Sequence, residues 1–151
     1  MPKIPFYDRG LRFSCTRCSS CCRVEPGYVF LSREDMQALC AALNLAPGVF
    51  QAAYCRWVPS LDGLRLSLRE KANYDCVFWQ EGGCSVYASR PLQCRTFPFW
   101  AQNLVSRNAW EEEMERCPGM DKGTLHSCRE IEARLEAQRR NPILTREGGF
   151  R

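Results

Sequence analysis

The residues able to do chemistry in this chain are thiols. It has 151 residues, and among them are eleven Cys and a single His. The densest set is Cys15-x-x-Cys18-x-x-Cys21-Cys22. A metal site needs several soft donors aimed at one point, and two intervening residues let a loop fold successive sulfurs back onto one ion or cluster. Three cysteines at successive i+3 steps share the spacing of the first three ligands in bacterial ferredoxin runs. Cys22 cannot easily point where Cys21 does, so its role is a second metal, a bridge or support of the site. Ser14 to Arg23 is rich in turn-favouring residues. That composition predicts a loop rather than a helix with a buried thiol stripe.

Four more cysteines are candidates. Cys76-Val-Phe-Trp79 and Cys84-Ser-Val-Tyr87 flank Gln-Glu-Gly-Gly, which predicts a β-hairpin with glycines in the turn, the way zinc knuckles gather their thiols. Cys94 is expected in the first turns of a short helix capped by Ser89, with Pro91 in its first turn and Pro98 closing it. The helix N-terminus, with Arg90 and Arg95, would favour the thiolate there. Cys117 precedes Pro118-Gly119, a turn expected to expose its sulfur. The candidate metal ligands are therefore Cys15, Cys18, Cys21, Cys22, Cys76, Cys84, Cys94 and Cys117. They suffice for two four-coordinate zinc sites, or for one 4Fe-4S cluster with thiols to spare. Cys40 and Cys128 fall on the apolar faces of predicted helices and Cys55 in an aromatic-rich helical stretch, so these three read as small core residues.

Other chemistry has little support. His126 lies one position off an apolar stripe and reads as solvent-facing, and no histidine lies beside the cysteine loop to make a Cys/His nucleophile pair. Glu111, Glu112, Glu113 and Glu115 read as a solvated helix face, and Phe97-Pro98-Phe99-Trp100 as core packed over the site. There is no phosphate-cradling glycine loop. No acid/base constellation stands out, so a binding protein is favoured over an enzyme. The net charge of +4 is carried by scattered Lys and Arg without a basic, aromatic-interleaved stripe, which argues against nucleic acid. Part of that excess would offset a metal–thiolate site. No run reaches the roughly 18 apolar residues of a bilayer span. The segment before Cys15 has charges at Lys3, Asp8, Arg9 and Arg12 and no apolar core of a secretory signal. With an odd Cys count, these features point to thiols in a reducing cytoplasm rather than to a disulfide framework.

The elements that must position the thiols are legible as patterns. The length suits one domain, 1–151. Tyr28 to Leu31 reads as a short apolar strand. Ser32 and Asp35 form a capping pattern before a helix with Met36, Leu39, Cys40 and Leu43 on one face, which Pro47-Gly48 would end. A second helical stretch places Phe50, Tyr54, Trp57 and Val58 on one side. Leu64, Leu66 and Leu68 alternate with Arg65, Ser67 and Arg69, the period of a half-buried strand. A last helix is expected from near Thr124 to Arg140, with Leu125, Cys128, Ile131 and Leu135 inward and Asn141-Pro142 as the stop. The expected fold is α+β: a small irregular cysteine-rich metal core with a β-hairpin, flanked by three to four helices.

Several of these segments together resemble a known family. Phe13-Ser-Cys15-x-x-Cys18-x-x-Cys21-Cys22-Arg23 and Leu31-Ser-x-x-Asp35 look like the start of the YkgJ-type cysteine-cluster family, the CxxCxxCC zinc- or iron-chelating domain. Asp75-Cys76-Val-Phe78, Gly83-Cys84-Ser-Val-Tyr87, Arg90-Pro91-Leu-Gln-Cys94-Arg95-Thr-Phe97-Pro98-Phe99 and Cys117-Pro118-Gly119 are similar to its later motifs. The resemblance covers about residues 13 to 123 and falls on the same eight cysteines. It implies a bacterial metal-binding protein, often described as holding an iron–sulfur cluster. A similar region accompanies flagellin lysine methylases of the FliB type, which implies a link to a redox or enzyme partner. The function expected is iron–sulfur binding for electron transfer, sensing or support of that partner. Zinc in a structural or interaction module is the alternative, and an iron metalloenzyme a lower one.

Overall fold

The computed structural model describes residues 3–16, 27–61, 63–81 and 83–147. In chain order its elements are β1 (Leu11–Phe13), α1 (Arg33–Leu43), α2 (Pro47–Tyr54), β2 (Cys55–Ser60), β3 (Gly63–Leu68), β4 (Trp79–Gln80) and β5 (Gly83–Cys84). A 3-10 turn at Tyr87–Ser89 leads into α3 (Leu92–Thr96), α4 (Ala101–Leu104), α5 (Arg107–Met114), β6 (Met120–His126), α6 (Cys128–Arg139) and β7 (Thr145–Arg146). Mixed helices and antiparallel strands make the fold α+β, and α1, α2, α5 and α6 are the helices of eight residues or more. The chain divides into two compact units, one from Met1–Ser20 with Thr96–Arg140, the other from Cys21–Arg95 with Asn141–Arg151.

The unit containing α1 is built around Leu31, Leu39, Phe50 and Leu66, none of which is exposed. Helix α1 starts where expected: Ser32 Oγ accepts the Asp35 N–H and the Asp35 carboxylate accepts the Ser32 N–H, a closed capping box. Its buried face is Met36, Leu39 and Cys40. The helix ends at Asn44, in the left-handed conformation that Asn tolerates. Pro47 then opens α2 rather than closing α1, because a missing N–H costs nothing at a first helical position. Trp57 and Val58 are not helical. They lie in β2, which pairs with β3 from Cys55↔Leu68 to Ser60↔Gly63. β-branched and aromatic residues with Pro59 favour this hairpin over a longer helix.

The segment expected as a strand at Tyr28 to Leu31 does pair with β3. The Leu31 N–H reaches the Leu66 carbonyl at 3.0 Å and the Leu68 N–H reaches the Val29 carbonyl at 3.0 Å. The Leu66 N–H then donates to Leu144, and the Leu144 N–H donates back to Leu31, both at 2.9 Å. Three peptide groups from distant positions thereby close a ring of main-chain bonds. The glycine hairpin is also present, with β4 and β5 paired Trp79↔Cys84 and Gln80↔Gly83.

The other unit packs Tyr7, Leu11, Phe99, Leu104, Trp110, Met120, Ile131 and Leu135 around an aromatic centre. Phe99 stacks on Trp110 at 5.7 Å, and the Trp110 indole N–H donates to Asp121 at 3.1 Å. The final helix starts later than expected. Thr124 to His126 belong to β6, which pairs with β1, so Leu125 is half exposed on a strand. Helix α6 begins at Cys128 behind a second capping box, Ser127 with Glu130, and buries Ile131 and Leu135 as expected. Ser89 likewise does not cap α3; it ends the 3-10 turn.

The buried and exposed leucines of the β2–β3 hairpin give a direct test. Leu66→Ala should cost about 2–5 kcal/mol in urea unfolding, whereas Leu61→Ala, at a fully exposed position, should change stability by no more than about 0.5 kcal/mol.

Candidate metal centre

Cys18, Cys21 and Cys22 lie outside the described residues, but both ends of the segment that carries them are described. Its entry follows β1. Phe13 pairs with Met120, and the register then breaks as β6 bulges through Asp121 and Gly123, both at positive φ. Ser14 fills that bulge. Its N–H donates to the Gly119 carbonyl at 3.2 Å, and its hydroxyl accepts the Thr124 N–H at 2.9 Å. A Cβ on Gly119 would sit 2.1 Å from the Ser14 carbonyl oxygen, so that position has no room for a side chain. The segments bearing Cys15 and Cys117 are thus in direct main-chain contact. Cys15 is exposed. Cys117 is not exposed by its turn, as the Pro-Gly pair suggests; it is buried with the Phe99–Trp110 core, because the turn folds back onto Phe13.

The exit of the segment is held just as closely. The Gly27 N–H donates to a Glu70 carboxylate oxygen, and the Gly27 carbonyl accepts from Arg56 Nη2 at 3.2 Å. Arg56 in turn lies 3.8 Å from Glu70. Glu70 forms an isolated β-bridge with Cys76. Farther along, the Gln93 side chain accepts the Phe30 N–H at 3.1 Å and donates to the Tyr28 carbonyl at 2.7 Å. Gln93 immediately precedes Cys94.

The remaining candidates are half-buried, Cys84 at the end of β5, Cys76 ahead of β4 and Cys94 in the middle of α3. Cys76 lies three residues ahead of β4, and the register pairs Cys84 with Trp79 rather than with Cys76. Cys94 sits in α3, whose first N–H, that of Leu92, is capped by Asp35 Oδ1 at 3.0 Å. Of the two arginines beside it, Arg90 lies over the Tyr87 ring at 3.8 Å, and Arg95 Nε donates to the Arg90 carbonyl at 3.0 Å. Among the described residues, no three Cys, His, Asp or Glu side chains are grouped as a metal site requires.

Cys40, Cys55 and Cys128 are free thiols of a different kind. Cys40 and Cys55 are buried in one apolar cluster, and Cys128 packs against the other. Burial pushes the Cys55 thiol from 9.0 up to about 12, against a smaller opposing pull from Arg69. Burial also raises Cys40 and, with Glu132 and Asp8 adding to it, Cys128. A ligand must be a thiolate, so these environments disfavour metal binding. His126 is not solvent-facing: its ring lies beside Phe13 and Phe99, with Nε2 2.9 Å from the Phe13 carbonyl. Ser14, Glu70 and Gln93 carried no sequence signal. Pro118-Gly119 announced a turn but not the close approach of Ser14.

Gly119→Ala should lower stability by about 1–3 kcal/mol in urea unfolding, since the obstructing atom is main chain. The Cys55 shift also has a sign. Its folded-state value lies above its unfolded one, so its contribution is fully present below about pH 9 and is lost as pH rises towards about 12. Cys55→Ala, whatever its effect at neutral pH, should make the alkaline decline in stability shallower.

No helix among the described residues is long and apolar enough to cross a membrane, and no solved structure gives a significant match to the chain. Residues 14–118 match the family described as "CxxCxxCC: Putative zinc- or iron-chelating domain". That match takes in all eight candidate cysteines, the two anchored ends of the loop and the hairpin. The chain belongs to this zinc- or iron-chelating CxxCxxCC family.

Proposed function

We propose that this protein is an iron–sulfur protein, most simply with one 4Fe-4S cluster, held by thiolates drawn from Cys15, Cys18, Cys21, Cys22, Cys76, Cys84, Cys94 and Cys117. One observation carries the reading: three cysteines at successive i+3 steps, the ferredoxin-like spacing. The donor chemistry fits. Cys15 is exposed and Cys76, Cys84 and Cys94 are half-buried, whereas Cys40 and Cys55 are buried in an apolar cluster where burial raises the pKa of both thiols; Cys117, though buried, precedes the turn that meets Ser14. Such a cluster would supply one-electron chemistry, and the chain's own residues would supply ligands and shelter. The role proposed is electron transfer, sensing or support of a partner enzyme in the cytoplasm. Zinc is the second reading, because eight thiols divide naturally into two tetrahedral sites whose binding energy becomes folding energy.

Anaerobically isolated protein should be brown, with broad visible absorption and iron and acid-labile sulfide in equal amounts. Colourless protein with stoichiometric zinc would overturn the iron reading in favour of the zinc one. Cys18→Ser should lower metal content and stability together, while Cys128→Ala should leave metal content unchanged, both measured by elemental analysis.

A further inference from the structure

We infer that Gln93 is a positioning residue for the metal centre: it fixes the exit of the cysteine loop against the helix that carries Cys94. This rests on the reading that those thiols bind metal. The extended segment at Tyr28 to Leu31 has two hydrogen-bonding edges. Val29 and Leu31 turn their peptide groups towards β3. The Tyr28 carbonyl and the Phe30 N–H face the opposite way, where a further strand would ordinarily pair. Gln93 takes that strand's place. Both ends of its amide face the strand: Oε1 accepts the Phe30 N–H and Nε2 donates one of its two hydrogens to the Tyr28 carbonyl. The two bonds also fix which end of the amide is oxygen, since the reverse orientation would oppose donor to donor and acceptor to acceptor.

The other side of the arrangement is α3. This helix has five residues, too short to hold its own place by helix propensity. Its position comes from outside: Asp35 Oδ1 on the Leu92 N–H, and the Gln93 amide on the strand one residue later. The buried Asp35 is itself immobilised by the capping box of α1. Cys94 follows at once, so these two contacts help to place its backbone. Tyr28 lies six residues beyond Cys22, and its main chain is gripped by the residue next to Cys94. Gln93 therefore acts on two parts of the ligand set at once while contributing no ligand atom. Residues that orient ligands in this way typically change metal affinity by roughly 10–100-fold when removed.

The test compares wild-type protein with Gln93→Leu, which keeps the bulk and removes both bonds, and with Gln93→Glu, which keeps the acceptor and sets an oxygen against the Tyr28 carbonyl. Ser106→Ala, which removes the cap of α5 in the other unit, controls for a general loss of stability. Each is isolated anaerobically with its native metal and challenged with excess chelator, and the loss of metal is timed beside thermal unfolding. Gln93→Leu should release metal at least about ten times faster than wild type, with Gln93→Glu also faster and Ser106→Ala at the wild-type rate. Its visible spectrum should shift as well, which lowered stability alone would not produce. If Gln93→Leu does not fold, the Gln93→Glu rate decides. Release at the wild-type rate, or acceleration matched by Ser106→Ala, would overturn the inference. Wild-type protein that holds no metal would instead remove the reading beneath it.

Discussion

The two ends of the cysteine-bearing segment are fixed by hydrogen bonds to their main-chain groups, and the rest of the structure is arranged to supply them. A loop that must gather several sulfurs has to give up conformational freedom, and each untethered residue raises that cost. In this chain the residues that flank the segment are held by hydrogen bonds on both sides. Ser14 sits in a bulge made for it by Gly119, Gly123 and Thr124. Gly27, Tyr28 and Phe30 are held by Glu70, Arg56 and Gln93. Each grip belongs to its own unit, and each lies next to a cysteine outside the loop: Cys117 at the entry, Cys76 and Cys94 at the exit.

The same side chain meets several kinds of surroundings in this molecule. In apolar surroundings the neutral thiol is favoured, and Cys40 and Cys55 serve there as small core residues like an alanine or a valine. Elsewhere Cys15 is exposed, Cys76, Cys84 and Cys94 are half-buried beside strands and in a short helix, and Cys117 is buried beside Phe99 and Trp110. Each unit has an apolar cluster of its own, around Phe50 and Leu66 in one and around Phe99 and Trp110 in the other.

Much of this was readable before the structure, and the failures have common causes. The capping of α1, the glycine hairpin, the alternating leucines of β3 and the end of α6 were evident because each rests on a local rule: a cap, a tight turn, a two-residue period, a proline. Trp57 and Val58 misled because a run of apolar residues fits a helix or a strand equally, and only pairing with β3 decides. Thr124 and Leu125 misled for the same reason, their partner β1 lying more than a hundred residues earlier. The candidate ligands were legible in the spacing of the loop cysteines and in the hairpin, short helix and turn expected around the others. The groups that steady them were not, since Gln93, Glu70 and Ser14 are ordinary polar residues whose importance lies wholly in what the fold sets opposite them.

The ring of peptide bonds among Leu31, Leu66 and Leu144 has a bearing on biosynthesis. Synthesis runs from the N-terminus, so the sheet that holds Leu31 stays open along one side until Leu144 has left the ribosome, well after all eleven sulfurs have emerged. The unit that contains α1 can therefore complete its sheet only after the whole of the other unit has been synthesised, since its last segment, Asn141–Arg151, follows Arg140.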